Sequence, residues 1–226
     1  MKFNFSIRTA IKESWAIFLQ APWFFVTLSL LMALFNFVGG EDTPSVFVFL
    51  AVIASIILAY VWLSVVLAAV DGKTDMLQFS QLRTHLPSWR GLAFFIIIGI
   101  VAGLFKILGF IALIIPGIYI MTRLMFVNIA FVDRKGGVMQ TLRYSWHMVK
   151  GDAFWTAFLT GIVSFGLVIL GILLLGVGFL VLYPISKLLI AKLYRALSLH
   201  HEEQSLIVQP EELAAPTKPE LTPVTE

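Results

Sequence analysis

The chain has 226 residues, of which 59% are hydrophobic and only 13% are charged, and its mean hydropathy is +0.94. Soluble domains are about half apolar, so this composition excludes an ordinary water-soluble fold. The formal net charge is +3, and the sequence contains no cysteine, which excludes disulfides and thiolate chemistry. The apolar residues form long runs instead of the alternating pattern of a membrane β-barrel. The sequence therefore predicts an all-α polytopic membrane bundle.

Six apolar runs are long enough for membrane helices, since a bilayer core of about 30 Å needs about 20 residues. In chain order the predicted spans are residues 21–38, 45–70, 91–115, 117–132, 153–175 and 178–196. The segment before the first run mixes basic and apolar residues, and no small-x-small cleavage site follows the run, so we expect the first span to be retained. Between the third and fourth spans, Pro116 followed by Gly117 favours a tight hairpin. A re-entrant turn over residues 108–117 is the alternative.

The basic residues that flank the six predicted spans lie on one side of the bundle. They precede span one, separate spans two and three, separate spans four and five, and close span six: Lys2, Arg8, Lys12, Lys73, Arg83, Arg90, Arg134, Lys135, Arg143, Lys150, Lys192 and Arg195. The opposite connections carry no Lys or Arg, and the first of them carries Glu41 and Asp42. The positive-inside rule therefore predicts a multipass protein of the bacterial inner membrane with both termini in the cytoplasm.

The sequence divides into a transmembrane domain, residues 1–199, and an acidic segment, residues 200–226. The first part carries 15 basic and 7 acidic side chains, a net charge of +8, whereas the second carries six glutamates and one lysine, a net charge of −5. The second segment also contains four prolines and few apolar residues. Such a composition is typical of a disordered tail.

An internal repeat relates the two ends of the transmembrane domain. An apolar stripe at helical spacing precedes span one and recurs before span five, with a fainter copy before span three. The three stripes are Ile7, Ile11, Trp15 and Phe18; Val138, Leu142, Trp146 and Val149; and Met76, Phe79, Leu82 and Leu86. We therefore predict three parallel units, residues 1–73, 74–136 and 137–199, each an amphipathic helix followed by two spans.

The middle and last units carry a family resemblance. Its motifs are Ile114 to Ile118, Arg123, Val127 to Asp133, Thr141-Leu142, Ser145-Trp146, Lys150-Gly151, Tyr183-Pro184 and Leu193-Tyr194-Arg195. This pattern resembles the glycerophosphoryl diester phosphodiesterase membrane-domain family and the related inner-membrane proteins of the YciC type. In some relatives the domain precedes a soluble phosphodiesterase barrel that performs the chemistry. Only the acidic segment follows the last span here, so the resemblance implies a membrane domain and not an activity.

Cations inside the predicted spans are the sharpest functional signal. Charges at membrane depth cost at least about 2.5 kcal/mol on insertion scales and usually face a protein interior or a watery cavity. The candidate residues for binding an anion or a lipid headgroup are Arg123, Lys187 and Lys106, with Tyr119 and Tyr183 one helical turn before the first two. The alternative is that these side chains snorkel, or bond to backbone carbonyls, to Asn128 or Ser186, or to the tyrosines.

Motifs for enzyme chemistry, metal ions and nucleic acid are not found in the sequence. It contains no phosphate loop, nucleophile elbow or HExxH, and the four histidines have no carboxylates at metal-ligand spacing. We expect Asp71, Asp75, Asp133 and Asp152 to be solvated charges at helix ends, and small residues in spans three and five, including Gly99 and Gly103, to mark close helix contacts.

The favoured function is that of a non-enzymatic inner-membrane protein without cofactors. Its expected role is to bind or organise lipid, with an anionic headgroup as ligand, or to scaffold a membrane partner, either another protein or a second copy of the chain. The alternative is a transporter or channel for a small anion. Nucleic acid is not an expected partner, because the basic residues flank spans instead of clustering on a folded surface.

The predicted topology is testable with single cysteines, since the chain has none of its own. We expect an impermeant maleimide to label Glu41→Cys but not Arg134→Cys in intact cells, because the basic connections stay inside. Labelling of position 134 from outside would overturn the six-span topology.

Overall fold

The computed structural model describes residues 3, 5–37, 44–73, 77–134, 136–174 and 177–214, with the side chains of 36, 37, 112, 134, 177 and 204–214 left out. The described part is all-helical. Its α-helices are α1 (Ile7–Gln20), α2 (Pro22–Phe37), α3 (Ser45–Val70), α4 (Trp89–Ala112), α5 (Ile114–Arg123), α6 (Val127–Arg134), α7 (Val138–Met148), α8 (Asp152–Leu173) and α9 (Val177–Ala214), and a 3-10 helix covers Phe79–His85. The predicted first outer connection, with Glu41 and Asp42, lies outside the described residues.

Four helical segments of the described chain are long and apolar enough to cross a membrane. They are Ser45–Val70, Trp89–Ile111, Ile114–Asp133 and Asp152–Leu173. The pair α1 and α2 adds a fifth if it is counted as one broken span, although the two helices meet at an angle of 96°. This result confirms a helical membrane protein and the predicted spans two to five, whereas α2 and α9 do not meet the same criteria individually.

The connection between spans three and four is a tight hairpin. Leu113 is extended, with φ −178° and ψ 157°, and α5 begins at the next residue. At this crossing a Cβ on Gly109 would lie 3.1 Å from Cα of Gly117, and one on Gly117 would lie 3.0 Å from Cα of Phe110. The hairpin therefore requires glycine at both positions, because any larger residue would push the two helices apart.

Helix α9 is the centre of the bundle. It packs against α8 and also contacts α1, α2, α3 and α7, while α6 packs against α3, α4 and α7. The largest fully buried side chains include Trp62, Tyr194, Phe25 and Phe126. Large apolar side chains are also exposed along α2, α3, α4 and α8, as expected for surfaces that face hydrocarbon.

The amphipathic helices differ from the prediction in two places. In α1 the face buried against the protein is Ala10, Ser14 and Phe18, whereas Trp15 of the predicted stripe is exposed. The middle unit has a seven-residue 3-10 helix where an amphipathic α-helix was expected. A short, Ser- and Thr-containing segment that meets Pro87 has little capacity to extend into α-helix; Met76 of its predicted stripe lies outside the described residues.

Gly99 and Gly103 of span three do not mark a close helix contact. A Cβ at Gly99 or Gly103 would meet no atom within 4 Å, so that expectation is wrong for the described residues. The small residues of span five do pack closely, since Ala157 and Ser164 are buried and the Ser164 hydroxyl donates a hydrogen bond of 3.2 Å to the Ser186 carbonyl. Small residues permit close approach but do not fix which face of a helix meets a neighbour.

Helix α9 continues beyond the predicted boundary at residue 199 and ends at Ala214. Two contacts that composition does not reveal accompany this extension: the ring of His200 lies 5.4 Å from that of Phe3, and the ring of His201 lies 5.5 Å from that of Tyr144. The disordered acidic tail over residues 200–226 stays a prediction. The rest of the acidic segment, residues 215–226, lies outside the described residues.

Three tryptophans stand at or near the first residues of membrane helices and project outward. Trp23 near the start of α2, Trp89 at the start of α4 and Trp155 near the start of α8 are 81%, 84% and 63% exposed. Tryptophan with an exposed ring is enriched at the boundary between headgroups and hydrocarbon. We therefore predict that all three rings lie at the same boundary between lipid headgroups and hydrocarbon.

Fluorescence quenching by brominated lipids tests this position. In nanodiscs, lipids brominated near the headgroup should quench wild-type fluorescence more than lipids brominated near the chain end. Replacing Trp23, Trp89 and Trp155 together by Phe should remove most of that difference. Trp62→Phe is the control, since Trp62 is buried. Strongest quenching from the chain end would contradict an interfacial position.

Candidate functional site

Arg123, the last residue of α5, is enclosed by protein. It is only 9% exposed, and its Nη1 donates a hydrogen bond of 2.7 Å to the Trp146 carbonyl. Its guanidinium lies 4.9 Å from the Tyr119 ring centroid and 5.1 Å from that of Trp146. The Ser145 hydroxyl donates to the Arg123 carbonyl at 2.8 Å. Aromatic faces and a carbonyl stabilise a guanidinium without a carboxylate, which agrees with the alternative reading of Arg123 as an internally bonded cation.

The other predicted site residues are Lys187, Tyr183 and Lys106. The Nζ of Lys187 on α9 lies 5.1 Å from the Tyr183 ring centroid. Lys106 lies on α4. Among the described residues, neither lysine forms an ion pair with a carboxylate, and the contacts of Arg123 do not include Lys187. The five predicted residues are therefore divided between an aromatic cage and a pair of lysines.

A polar cluster that sequence reasoning missed joins the C-terminal ends of α3 and α6 to α9. Arg195 of α9 donates from Nε and Nη2 to the two carboxylate oxygens of Asp71, both at 2.6 Å. Its Nη1 donates to Asp133 Oδ2 at 2.9 Å, and the Tyr194 hydroxyl donates to the same oxygen at 2.8 Å. We call Asp71, Asp133, Tyr194 and Arg195 the arginine clasp. Asp71 and Asp133 were expected to be solvated charges at helix ends, but both accept hydrogen bonds from Arg195.

A polar cavity of about 250 Å³ adjoins the arginine clasp. The Ser64 hydroxyl and Nδ1 of His85 lie 2.7 Å apart in its wall. This contact attaches the 3-10 helix to α3. His85 therefore contributes to packing at this end of the bundle, and the contact was not visible in the sequence because Ser64 and His85 belong to different predicted units.

One sequence signal pointed to the arginine clasp. Asp71, Asp133 and Arg195 each stand where a predicted closing span reaches the cytoplasmic side. Under the predicted topology their positions are equivalent, so two carboxylates and one guanidinium at the same level were available to pair. Hydropathy and spacing along a single helix do not report such contacts between helices.

Comparisons with known proteins add no family to this description. No protein-family model, no curated protein and no solved structure matches the chain. The functional interpretation therefore rests on the contacts of this chain's own residues.

The arginine clasp should contribute measurably to stability. Arg195→Gln leaves two partly buried carboxylates without their cation, and we expect a loss of about 2 kcal/mol in the free energy of unfolding, after allowance for partial exposure of the groups. Denaturation with SDS in mixed micelles measures this change.

Lys192→Gln is the matched control, because Lys192 lies on the same helix as Arg195. It pairs at 2.5 Å with Glu13 of α1, whose side chain is more than half exposed. Its expected effect is below about 1 kcal/mol. Equal losses for the two variants would show that the arginine clasp acts only as a surface ion pair.

Proposed function

We propose that the protein is a non-enzymatic integral protein of the bacterial inner membrane that binds anionic lipid through Lys106 and Lys187. The observation that carries the proposal is that both cations lie on bundle helices and that, among the described residues, neither pairs with a carboxylate. In contrast, Arg195 is paired with carboxylates and Arg123 with a carbonyl and two rings. A cation in a medium of low dielectric constant is costly without a counter-charge, and a bound anion would supply one.

The proposed topology has six spans, with α2 and α9 as the first and the last. α2 has 16 residues, a length that matches a short span with local bilayer thinning. α9 carries Lys187, Lys192 and Arg195 but has a long apolar segment before them. With both helices counted, the basic connections all face the cytoplasm, which supports cytoplasmic termini.

Two sets of equivalent residues support the three parallel units. Trp23, Trp89 and Trp155 follow one another at equal intervals, and so do Asp71, Asp133 and Arg195. The tryptophans lie at or near the beginning of each unit's first span, and the charged residues at the end of its second. The middle unit has a 3-10 helix where an amphipathic α-helix was expected, so the proposed units share these positions but not every element.

The depth of the lysines indicates which leaflet supplies the ligand. The rise along α4 from Trp89 to Lys106 is about 25 Å, and Lys187 lies about 12 Å of helix rise from Arg195 at the cytoplasmic end. In the proposed topology the pair therefore extends from the middle of the bilayer towards its outer face. The proposed ligand is therefore an anionic headgroup from the outer leaflet, towards which long lysine side chains can extend.

Lipid retention tests the proposal. Lys106→Gln and Lys187→Gln should each lower the amount of phosphatidylglycerol that remains bound in native mass spectrometry by about tenfold, because a charge-assisted contact of about 1.5 kcal/mol or more is lost. Arg123→Gln is the comparison, since Arg123 is satisfied inside the protein. We expect its effect on retention to be small.

Two outcomes would count against lipid binding. Unchanged retention in both lysine variants would contradict the proposed site. If the same variants instead reduce chloride flux into proteoliposomes while lipid retention stays constant, the alternative of an anion transporter would be favoured.

A further inference from the structure

A pocket of about 460 Å³ opens at the cytoplasmic ends of α7, α8 and α9, away from the lysine pair. Three helical or connecting segments supply its polar residues. They are His147 from α7, Lys150 and Asp152 from the connection and the start of α8, and His200 and His201 from α9. The N-terminal segment adds Phe3, which has no titratable group.

The pocket wall is held by aromatic contacts. His200 packs on Phe3, with ring centroids 5.4 Å apart, and His201 makes an edge contact of 5.5 Å with Tyr144. The Tyr144 hydroxyl donates to Ser198 Oγ at 2.9 Å, which fixes this ring against α9. The two histidines of α9 are therefore positioned by the fold.

A glycine with a rare backbone conformation forms the turn beside the pocket. Gly151 has a φ of +57°, a value that residues with a side chain seldom adopt. A Cβ at this position would meet no atom within 4 Å, so the space beside the turn is open. Lys150 and Asp152 flank this turn and both line the pocket.

The lining changes its charge with histidine protonation. Lys150 and Asp152 offset each other, so the three imidazoles determine the net charge of the lining residues. A protonated imidazole donates from both ring nitrogens and carries a positive charge. Basic or protonatable residues from α7, from the connection and from α9 line the space together, so the expected ligand is an anion.

We propose that this pocket binds the phosphate group of an anionic ligand, and that protonation of His147, His200 and His201 strengthens the binding. The pocket volume lies in the range of sites for small organic ligands, which favours a phosphate ester over inorganic phosphate. Trp155, which lies three residues after Asp152 in α8, is exposed at the level assigned to the headgroups. The phosphate source is therefore either an inner-leaflet lipid or a soluble ester, and both offer the same chemistry. The site shares no residue with the lysine pair.

Sulfate is a suitable soluble probe, because it is tetrahedral and its charge is constant near neutral pH. The full-length protein in phosphatidylcholine nanodiscs is titrated with sulfate by calorimetry at two pH values. Sulfate should bind about fivefold more tightly at about pH 6 than at about pH 8, because imidazole is more protonated at the lower pH. His147→Gln and His200→Gln should each reduce the affinity at the lower pH by about threefold or more. His147 is exposed, so its replacement tests the site without loss of packing.

Lys12→Gln is the matched control, since it removes a basic residue that is exposed on α1 and does not line the pocket. Its affinity for sulfate should equal that of the wild type. A second set of nanodiscs that contain phosphatidylglycerol distinguishes the ligand sources. If this lipid competes with sulfate, the ligand is a lipid headgroup; if it does not, the ligand is a soluble phosphate ester.

Three results would overturn the proposal: sulfate affinity independent of pH, affinity equal to wild type in both histidine variants, or an equal loss in Lys12→Gln. Binding of Zn²⁺ without any response to sulfate would also overturn it in favour of a metal site. Within the described part of the chain, no group of three His, Asp or Glu is placed to hold a metal ion. Because lipid retention by Lys106 and Lys187 is measured separately, failure of one site leaves the other testable.

Discussion

The arrangement of the bundle depends on the guanidinium of Arg195. Helices in a membrane gain little from the hydrophobic effect when they associate, because lipid tails are as apolar as their side chains. Directional polar contacts therefore have a large part in fixing which helices meet and at what level. Arg195 contacts Asp71 of the α3 terminus and Asp133 of α6, while Tyr194 bonds to the second carboxylate. One residue of α9 thus sets the relative height of three helices.

The remaining cations differ in how their charge is compensated. Lys192 has Glu13, and Arg123 has a carbonyl and two aromatic faces. Lys106 and Lys187 have no carboxylate partner among the described residues. A charge inside a membrane protein that the fold does not offset is typical of a site that binds a ligand.

Hydropathy predicted the helical class and spans two to five well, because a bilayer allows few other solutions for long apolar runs. The hairpin at Leu113 followed from Pro116 and Gly117, and the close approach at Gly109 explains it. Contacts between distant residues were less accessible. Asp71 and Arg195 were each assigned to a membrane edge, but one sequence did not reveal their pairing. Similarly, His200 contacts Phe3 and His201 contacts Tyr144, and composition does not reveal these contacts between distant residues.

The central claim is that an anionic lipid occupies the lysine pair between α4 and α9. Photocrosslinking with a phosphatidylglycerol that carries a diazirine beside its headgroup, followed by peptide mapping, measures the position of that lipid directly. We predict that adducts concentrate on peptides around Lys106 and Lys187, and that phosphatidylcholine with the same photogroup does not reproduce this pattern. Adducts distributed over the exposed apolar faces of α2, α3, α4 and α8 in the same way for both lipids would contradict a specific headgroup site.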